Sequence, residues 1–350
     1  MNFASDNTAG VAPEIFAALA RANTGFALGY GNDATTDALS KRMAALFERE
    51  VAVFLVPTGT AANALAIAQF APPWGAVLCH CDAHIAADEC GAPEFYGGGL
   101  KLIELPGEAG KISVATLEAA LAGRGWGGPH HVSPAVLSLT QATEAGTVYT
   151  PDEVAALAAV ARRNGMAVHM DGARLANALA ALEVAPADAT WRAGVDVLSF
   201  GATKGGAMAA EAVVIFDPAR AAGFVERRKR AGQLVSKHRF VAAQFEAFLA
   251  DDLWLRLARH ANAMAQRLAA ALASAGLKPI WPVEANEIFV ALPADLSARL
   301  KAEGAQFYGW SGALAPAGTI TNDDILARLV TSFATTEAEI DRFAALLQRG

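Results

Sequence analysis

Between residues 51 and 216 the chain alternates short apolar runs with longer stretches in which apolar and polar positions are mixed. "VAVFLV" from Val51, "AVLCH" from Ala76, "KLIEL" from Lys101, "AVLSL" from Ala135, "MAVHMD" from Met166, "DVLSF" from Asp196 and "AVVIF" from Ala212 read as strands. Such near-continuous apolar runs suit strands covered on both faces, the habit of parallel sheets. Helices are expected over 61–70, 113–121 and 152–164. The last has a clear start: Thr150 as N-cap, Pro151 at the first helical position, then Asp152 and Glu153 facing the positive end of the helix dipole. Strand and helix in alternation predict an α/β domain with a seven-stranded, mostly parallel sheet.

Beyond about residue 240 the texture changes. Residues 240–275 are rich in Ala, Leu and Arg and contain neither Gly nor Pro, which predicts one long helix or two abutting ones. Short strands at 288–292 and 326–331 and helices at 294–301 and 336–348 follow, with "GWSGALAPAGTITNDD" as a loop between them. The pattern divides the chain into a large domain over 1–240 and a small C-terminal α+β domain over 241–350.

Of the 350 residues, 54% are apolar and 18% charged, enough to build a large core and too apolar for disorder. The net charge of −7 leaves nucleic acid an unexpected partner. The exception is "RRKR" at 227–230, which reads as an anion-binding run or as a solvated helix face. No apolar run approaches the length of a membrane span, and "MNFASDNTAG" lacks the basic-then-apolar pattern of a secretory leader, so a cytoplasmic protein is expected. Cys79, Cys81 and Cys90 are odd in number and close together, which argues against a disulfide framework and for small buried thiols. With His80 and His84 they lack the paired spacing of a zinc motif, so no metal is expected.

Four features fall where strands end, the edge at which open α/β sheets gather ligands. In "VPTGTAAN", 56–63, a strand stops at Pro57 and a helix starts near Thr60; free N–H groups there favour an anion, and Gly59 permits close approach. The same residues also suit an ordinary helix cap. In "HMDGAR" a strand carries Asp171 to its end, either to meet a protonated ring nitrogen or to cap the next helix. In "SFGATKGG" Lys204 sits in a glycine-bounded turn, where desolvation would free its amine for imine formation; a surface lysine is the plainer reading. His84 follows the strand ending near His80 and can lie against a planar ligand or serve as a core histidine. Together, in the order phosphate cradle, planar side chain, carboxylate, and a lysine 33 residues after that carboxylate, these match the four parts of pyridoxal 5′-phosphate (PLP). Those parts are its phosphate, ring face, pyridinium nitrogen and aldehyde. With its ring nitrogen kept protonated, the cofactor accepts the electron pair left when a bond to Cα of an amino acid breaks.

"SDNTAG", "GYGND" at 29–33, "PTGTAAN", "DECGAPEFY", "TQATEAGTVY", "HMDGAR" and "TKGG" occur in the order found in the L-threonine aldolase family, and the chain resembles it from Ser5 to about Arg328. The resemblance is to its low-specificity and phenylserine-type branch, within the beta-eliminating lyase superfamily. It implies the PLP-dependent transferase-like fold of the aspartate-aminotransferase type (fold type I). It also implies active sites shared between the subunits of a homodimer, often within a homotetramer. The expected reaction is the reversible cleavage of L-threonine, L-allo-threonine or phenylserine to glycine and an aldehyde. Lys204 matches the Schiff-base lysine, Gly59 and Thr60 the phosphate loop, His84 the histidine over the ring and Asp171 the pyridinium partner. Ser5, Arg174 and Arg328 match positions that hold the substrate carboxylate, for which a guanidinium fork is suited. Lys229 or Lys237 is expected to reach a neighbouring subunit's phosphate.

Where many members have a histidine before "GTV", this chain has Glu144. The base for the substrate hydroxyl is therefore open between His84, the first choice, Glu144 and an ordered water. "GALAPAGTITNDD" reads as an insertion before Arg328. The same pocket would suit a beta-eliminating lyase, a racemase or an aminotransferase, and the fold alone would suit a cofactor-free binding protein. A Rossmann-type dehydrogenase is a weaker reading still, because no G-x-G-x-x-G follows the first strand.

Overall fold

The computed structural model describes residues 1–123, 125–311 and 315–348. All seven expected strands form: β1 Ala52–Val56, β2 Gly75–His80, β3 Lys101–Leu105, β4 Ser133–Thr140, β5 Ala167–Gly172, β6 Val197–Gly201 and β7 Glu211–Ile215. They join one sheet in the order β1-β7-β6-β5-β4-β2-β3. β2, β3, β4, β5 and β6 pair in parallel, while β7 runs against both β6 and β1. That single reversal places the first residue of β7, Glu211, beside Gly201 at the end of β6, so it joins the edge formed by the carboxyl ends of the others.

Helix Gly59–Phe70 explains how that edge becomes a site. It is sheathed in alanine, with Ala61, Ala62, Ala64, Ala66 and Ala68 all buried. Small side chains let it lie close on β1, β4, β5, β6 and β7, which brings its N-terminus to the sheet edge. Helix Pro151–Arg163 carries the expected Thr150 cap as a full capping box with Glu153. Between β6 and the C-terminal helices, Phe200 meets Phe47, Phe245 and Trp254 at centroid distances of 6.1, 5.6 and 5.5 Å. This aromatic core lies four residues before Lys204 and anchors the strand that delivers it.

The stretch 240–275 resolves into two helices, Arg239–Leu249 and Leu253–Ser274. Asp251 and Asp252 take left-handed φ of 50° and 53° and break the ladder between them, a feature without a glycine to announce it. A second sheet contains β8 Glu287–Pro293, β9 Tyr308–Trp310 and β10 Asp324–Val330 in the antiparallel order β8-β10-β9. β9 corrects the sequence reading, which placed Gly309 and Trp310 in a loop; three residues of strand are too few for a periodic signal. The rest of that loop is partly outside the described residues, at 312–314. Val241, Phe245 and Trp254 pack with the large sheet's core, whereas Met264 and Leu268 pack with β8 and β10. Phe3 joins this second core edge-on to Phe343 at 5.3 Å, and its N–H bonds the Gln306 carbonyl.

Two readings of single segments change. "RRKR" is divided: Arg228 is buried, donates to the Leu55 carbonyl at 3.1 Å and lies over Phe54, and Arg227 bonds Gln69, whereas Lys229 and Arg230 are exposed. Of the three thiols only Cys79 is buried; Cys90 is exposed. Among the described residues no helix is long and apolar enough to cross a membrane.

Replacing Phe200 with alanine is expected to lower the free energy of unfolding by about 3–5 kcal/mol through the cavity it opens. Equilibrium denaturation against the native chain measures the loss.

Candidate active site

Thr58 is extended, with φ −138°, and its hydroxyl accepts from the Ala61 N–H at 3.2 Å, so the helix begins at Gly59, one residue before the sequence suggested. The N–H groups of Gly59 and Thr60 open the helix and have no preceding turn to bond. A Cβ at Gly59 would meet nothing within 4 Å, so the space before these donors is open. One turn further along the same face stands Asn63, buried.

Asn63 links two carboxylates. Its Nδ2 donates to Asp171 Oδ2 at 2.8 Å and to Glu89 Oε1 at 2.8 Å. The other oxygen of Asp171 accepts from the Ala173 N–H at 3.0 Å, so the strand-tip carboxylate caps the turn and also faces the cavity. Glu89 Oε1 lies 2.9 Å from Nδ1 of His84. This bond is the main reason the His84 pKa is raised; burial opposes it, Asp171 adds to it and Lys204 subtracts from it. The backbone N–H of His84 donates to Glu144 Oε1 at 2.8 Å, while Oε2 of Glu144 is buried without a partner among the described residues. Burial pushes Glu144 up to about 7. Glu211, also buried, is raised to about 7 for the same reason, against the pull of Thr203 and Lys204.

Arg174 is gripped from two sides. Its Nε and Nη2 donate to Asp6 at 2.7 and 3.1 Å, and its Nη1 lies 3.1 Å from Glu287. Arg328 on β10 stacks on Trp310 with its guanidinium carbon 4.3 Å from the ring centre, reaches Glu287 at 3.9 Å, and keeps a buried Nε without a partner among the described residues.

These groups line two cavities that meet. One, of about 450 Å³, holds Thr58, Gly59, Thr60, Asn63, Asp171 and Glu211. The other, of about 340 Å³, holds Ser5, Glu287, Trp281, Phe289, Trp310 and Arg328. Lys204, His84, Glu144 and Arg174 line both. Among the described residues the Lys204 ammonium has no hydrogen-bond partner, so its amine is free at the junction. Lys229 and Lys237 are not at either cavity in this chain: Lys229 lies over Tyr30 at 4.8 Å in a surface cleft and Lys237 is exposed.

The family described as Beta-eliminating lyase matches residues 2–295. A low specificity L-threonine aldolase of Pseudomonas aeruginosa is 45% identical, over 89% of each chain. A second, from a Pseudomonas sp., is 41% identical over 98% of this chain and 96% of its own. This chain belongs to the beta-eliminating lyase family, among its low-specificity L-threonine aldolases. The threonine aldolase of Leishmania major superposes with a TM-score of 0.92 at 32% identity, covering 99% of this chain and 98% of that one. Sphingomonas wittichii serine palmitoyltransferase shares the fold alone, with a TM-score of 0.71 at 16% identity. The aldolase is thus a lyase of PLP fold type I, as the sequence implied.

Family membership implies PLP, and the donor set fits it. The lyase offers unbonded helix N–H groups before an open space for a phosphate, a half-accepting strand-tip carboxylate for a ring nitrogen, and an unpaired lysine amine between them. The sequence did not single out Asn63, Glu89, Glu211, Glu287, Trp281 or Trp310. Asn63 was open to inference, since it is three and four residues after Thr60 and Gly59 on one helix. Glu89 lies within "DECGAPEFY", quoted above only as a motif. Glu287 and Trp281 carried no local signal.

For the aldolase we expect an infrared band of protonated carboxyl that fades as pH rises through about 7, with the Glu144→Gln variant lacking one carboxyl's amplitude. The sign follows from burial: a raised carboxyl pKa favours the folded chain at low pH, and the advantage is lost as pH climbs through that value.

Proposed function

We propose that this lyase cleaves the Cα–Cβ bond of L-β-hydroxy-α-amino acids, threonine among them, to glycine and an aldehyde, reversibly. The observation that carries the reading is the meeting of the two cavities at one lysine. On one side are anion- and cation-holding groups suited to PLP, and on the other two guanidinium groups suited to a carboxylate.

In this reading Lys204 carries the cofactor, the Gly59 and Thr60 N–H groups hold its phosphate, Asp171 holds the proton on its ring nitrogen and His84 lies at its ring. When bound, PLP supplies a sink for the electron pair left at Cα. Arg328 and Ser5, with Arg174 behind them, would hold the substrate carboxylate and so fix how the amino acid is oriented in the site. Asp6 and Glu287 keep Arg174 rigid, which leaves the unpaired Nε of Arg328 as the freer donor. His84 takes the β-hydroxyl proton, with Glu144 next to it as the second acceptor. The chain works as a cytoplasmic homodimer or homotetramer, in which Lys229 or Lys237 serves a neighbouring subunit's phosphate.

The finer reading concerns the group on Cβ. Trp281 meets Phe289 at 5.0 Å and Phe289 meets Trp310 at 6.2 Å, an aromatic wall on the carboxylate side of the site. It favours a phenyl substituent, as in phenylserine, over the methyl of threonine or allo-threonine.

Lys204→Ala is expected to lose the absorbance of the lysine-bound cofactor and nearly all release of glycine and aldehyde. Cleavage at the native rate would sink the reading, and pyruvate with ammonia as native products would replace it with β-elimination. Trp281→Ala is expected to lower kcat/KM for phenylserine roughly 3–10-fold more than for threonine, the worth of one aromatic contact; equal losses would remove the aromatic preference.

A further inference from the structure

Glu89 is out of place unless it has work to do. Its side chain has no exposure, and a buried carboxylate is costly without a compensating charge or full hydrogen bonding. Among the described residues no lysine or arginine pairs with it, and its Oε2 has no donor. Among the described residues its side-chain partners are the imidazole of His84, at 2.9 Å, and the amide of Asn63. The backbone presents it deliberately: Cys90 and Gly91, the next two residues, take left-handed φ of 53° and 74° and turn the chain so that Glu89 points inward. On the same oxygen it receives Asn63, whose amide also holds Asp171.

We propose that Glu89 is the positioning residue of this active site: it fixes His84 with the proton on Nδ1 and, through Asn63, locks the ring and Asp171 into one network. The inference rests on the aldolase reading and deepens it. With Nδ1–H committed to Glu89, the lone pair of His84 is on Nε2, the nitrogen left to face a substrate hydroxyl. A carboxylate behind an imidazole makes that lone pair more basic and selects the tautomer. The other charged or titratable groups facing the ring are Asp171 from the end of β5, Lys204 from the turn after β6 and Glu144, which holds the His84 N–H from the loop after β4. Asp171 works with Glu89 and Lys204 against it, so removing the Glu89 charge leaves Asp171 alone to offset Lys204 and the burial of the ring. Asn63 matters because two carboxylates share its one amide nitrogen: any tilt of His84 that moves Glu89 also pulls on the amide that orients Asp171.

The test uses the full-length, PLP-loaded enzyme with nitrogen- and carbon-labelled histidine, seven signals in all, with His84 assigned by its loss in His84→Asn. In the native enzyme above its pKa, His84 is expected as the Nδ1–H tautomer; the Nε2–H tautomer overturns the proposal without any variant of Glu89. Glu89→Gln keeps an acceptor for Nδ1–H and removes the charge. It is expected to lower the His84 pKa by about one unit or more and kcat by roughly 100-fold, to shift the acid limb of the pH–rate profile with it, and to leave KM and the cofactor absorbance nearly unchanged. Glu89→Asp, which keeps the charge on a shorter arm, should restore part of both. A His84 titration and a pH profile that coincide in native and Glu89→Gln enzyme overturn the inference. The tautomer is read without turnover, so that result is separate from whether Lys204→Ala still cleaves substrate.

Discussion

The site depends on one buried guanidinium. Arg174, leaving the end of β5, is bound on one side by Asp6 from the N-terminal segment and on the other by Glu287 from the start of β8. Asn286 adds a bond to the same Asp6 at 3.1 Å and another to the Thr331 carbonyl beyond β10. Three distant stretches of chain are therefore tied at a single point. Desolvating so many charges adds little net stability, and its value is geometric, because a buried pair tolerates few arrangements. If any member moves, the second cavity loses its shape, since Ser5, Arg174, Glu287 and Arg328 all line it.

Around that knot the charges are graded. Glu287 serves Arg174 and, at longer range, Arg328. Glu144 and Glu211, buried without cations of their own, hold protons to about pH 7. Lys204 lines the same cavity with no partner of its own among the described residues. The carboxylates that line the two cavities, Glu89, Glu144, Asp171, Glu211 and Glu287 among them, would repel the anionic cofactor and substrate proposed for the site were all of them ionised and unpaired. Burial keeps Glu144 and Glu211 protonated to about pH 7, Glu89 is taken by His84 and Asn63, and Arg174 occupies Glu287 as well as Asp6 behind the cavity. Asp171, at the strand tip, accepts only from neutral donors, Asn63 and the Ala173 N–H, and so keeps its charge for a cation.

The seven strands of the large sheet were legible because each is a short apolar run bounded by breakers, and a strand covered on both faces must look like that. Lys204, Asp171, His84 and the Thr58–Thr60 turn were legible for a related reason: a residue of unusual chemistry immediately after such a run is carried to the ligand edge by topology alone. The break at 250–252 was not, because Asp251 and Asp252 are held left-handed by packing rather than by a glycine. β9 was not, because three residues have no period. The reading of 227–230 missed Arg228, which buries its stem against Phe54 and donates its head to a carbonyl, while Lys229 and Arg230 stay exposed.

The sequence by itself determined the sheet, the order of the groups at its edge and the family. Local pattern encodes these, and each is a property of a few neighbouring residues. Tertiary structure alone decided which carboxylates touch which cations: that Glu89 meets His84 and Asn63, that Arg174 is held from both sides, that Trp310 lies under Arg328, and that Lys229 and Lys237 stay away from the cavity in their own chain. Those pairings join residues up to 281 positions apart, Asp6 with Glu287 across one guanidinium. No periodicity or motif spans such a distance; only the closed core brings the partners within reach.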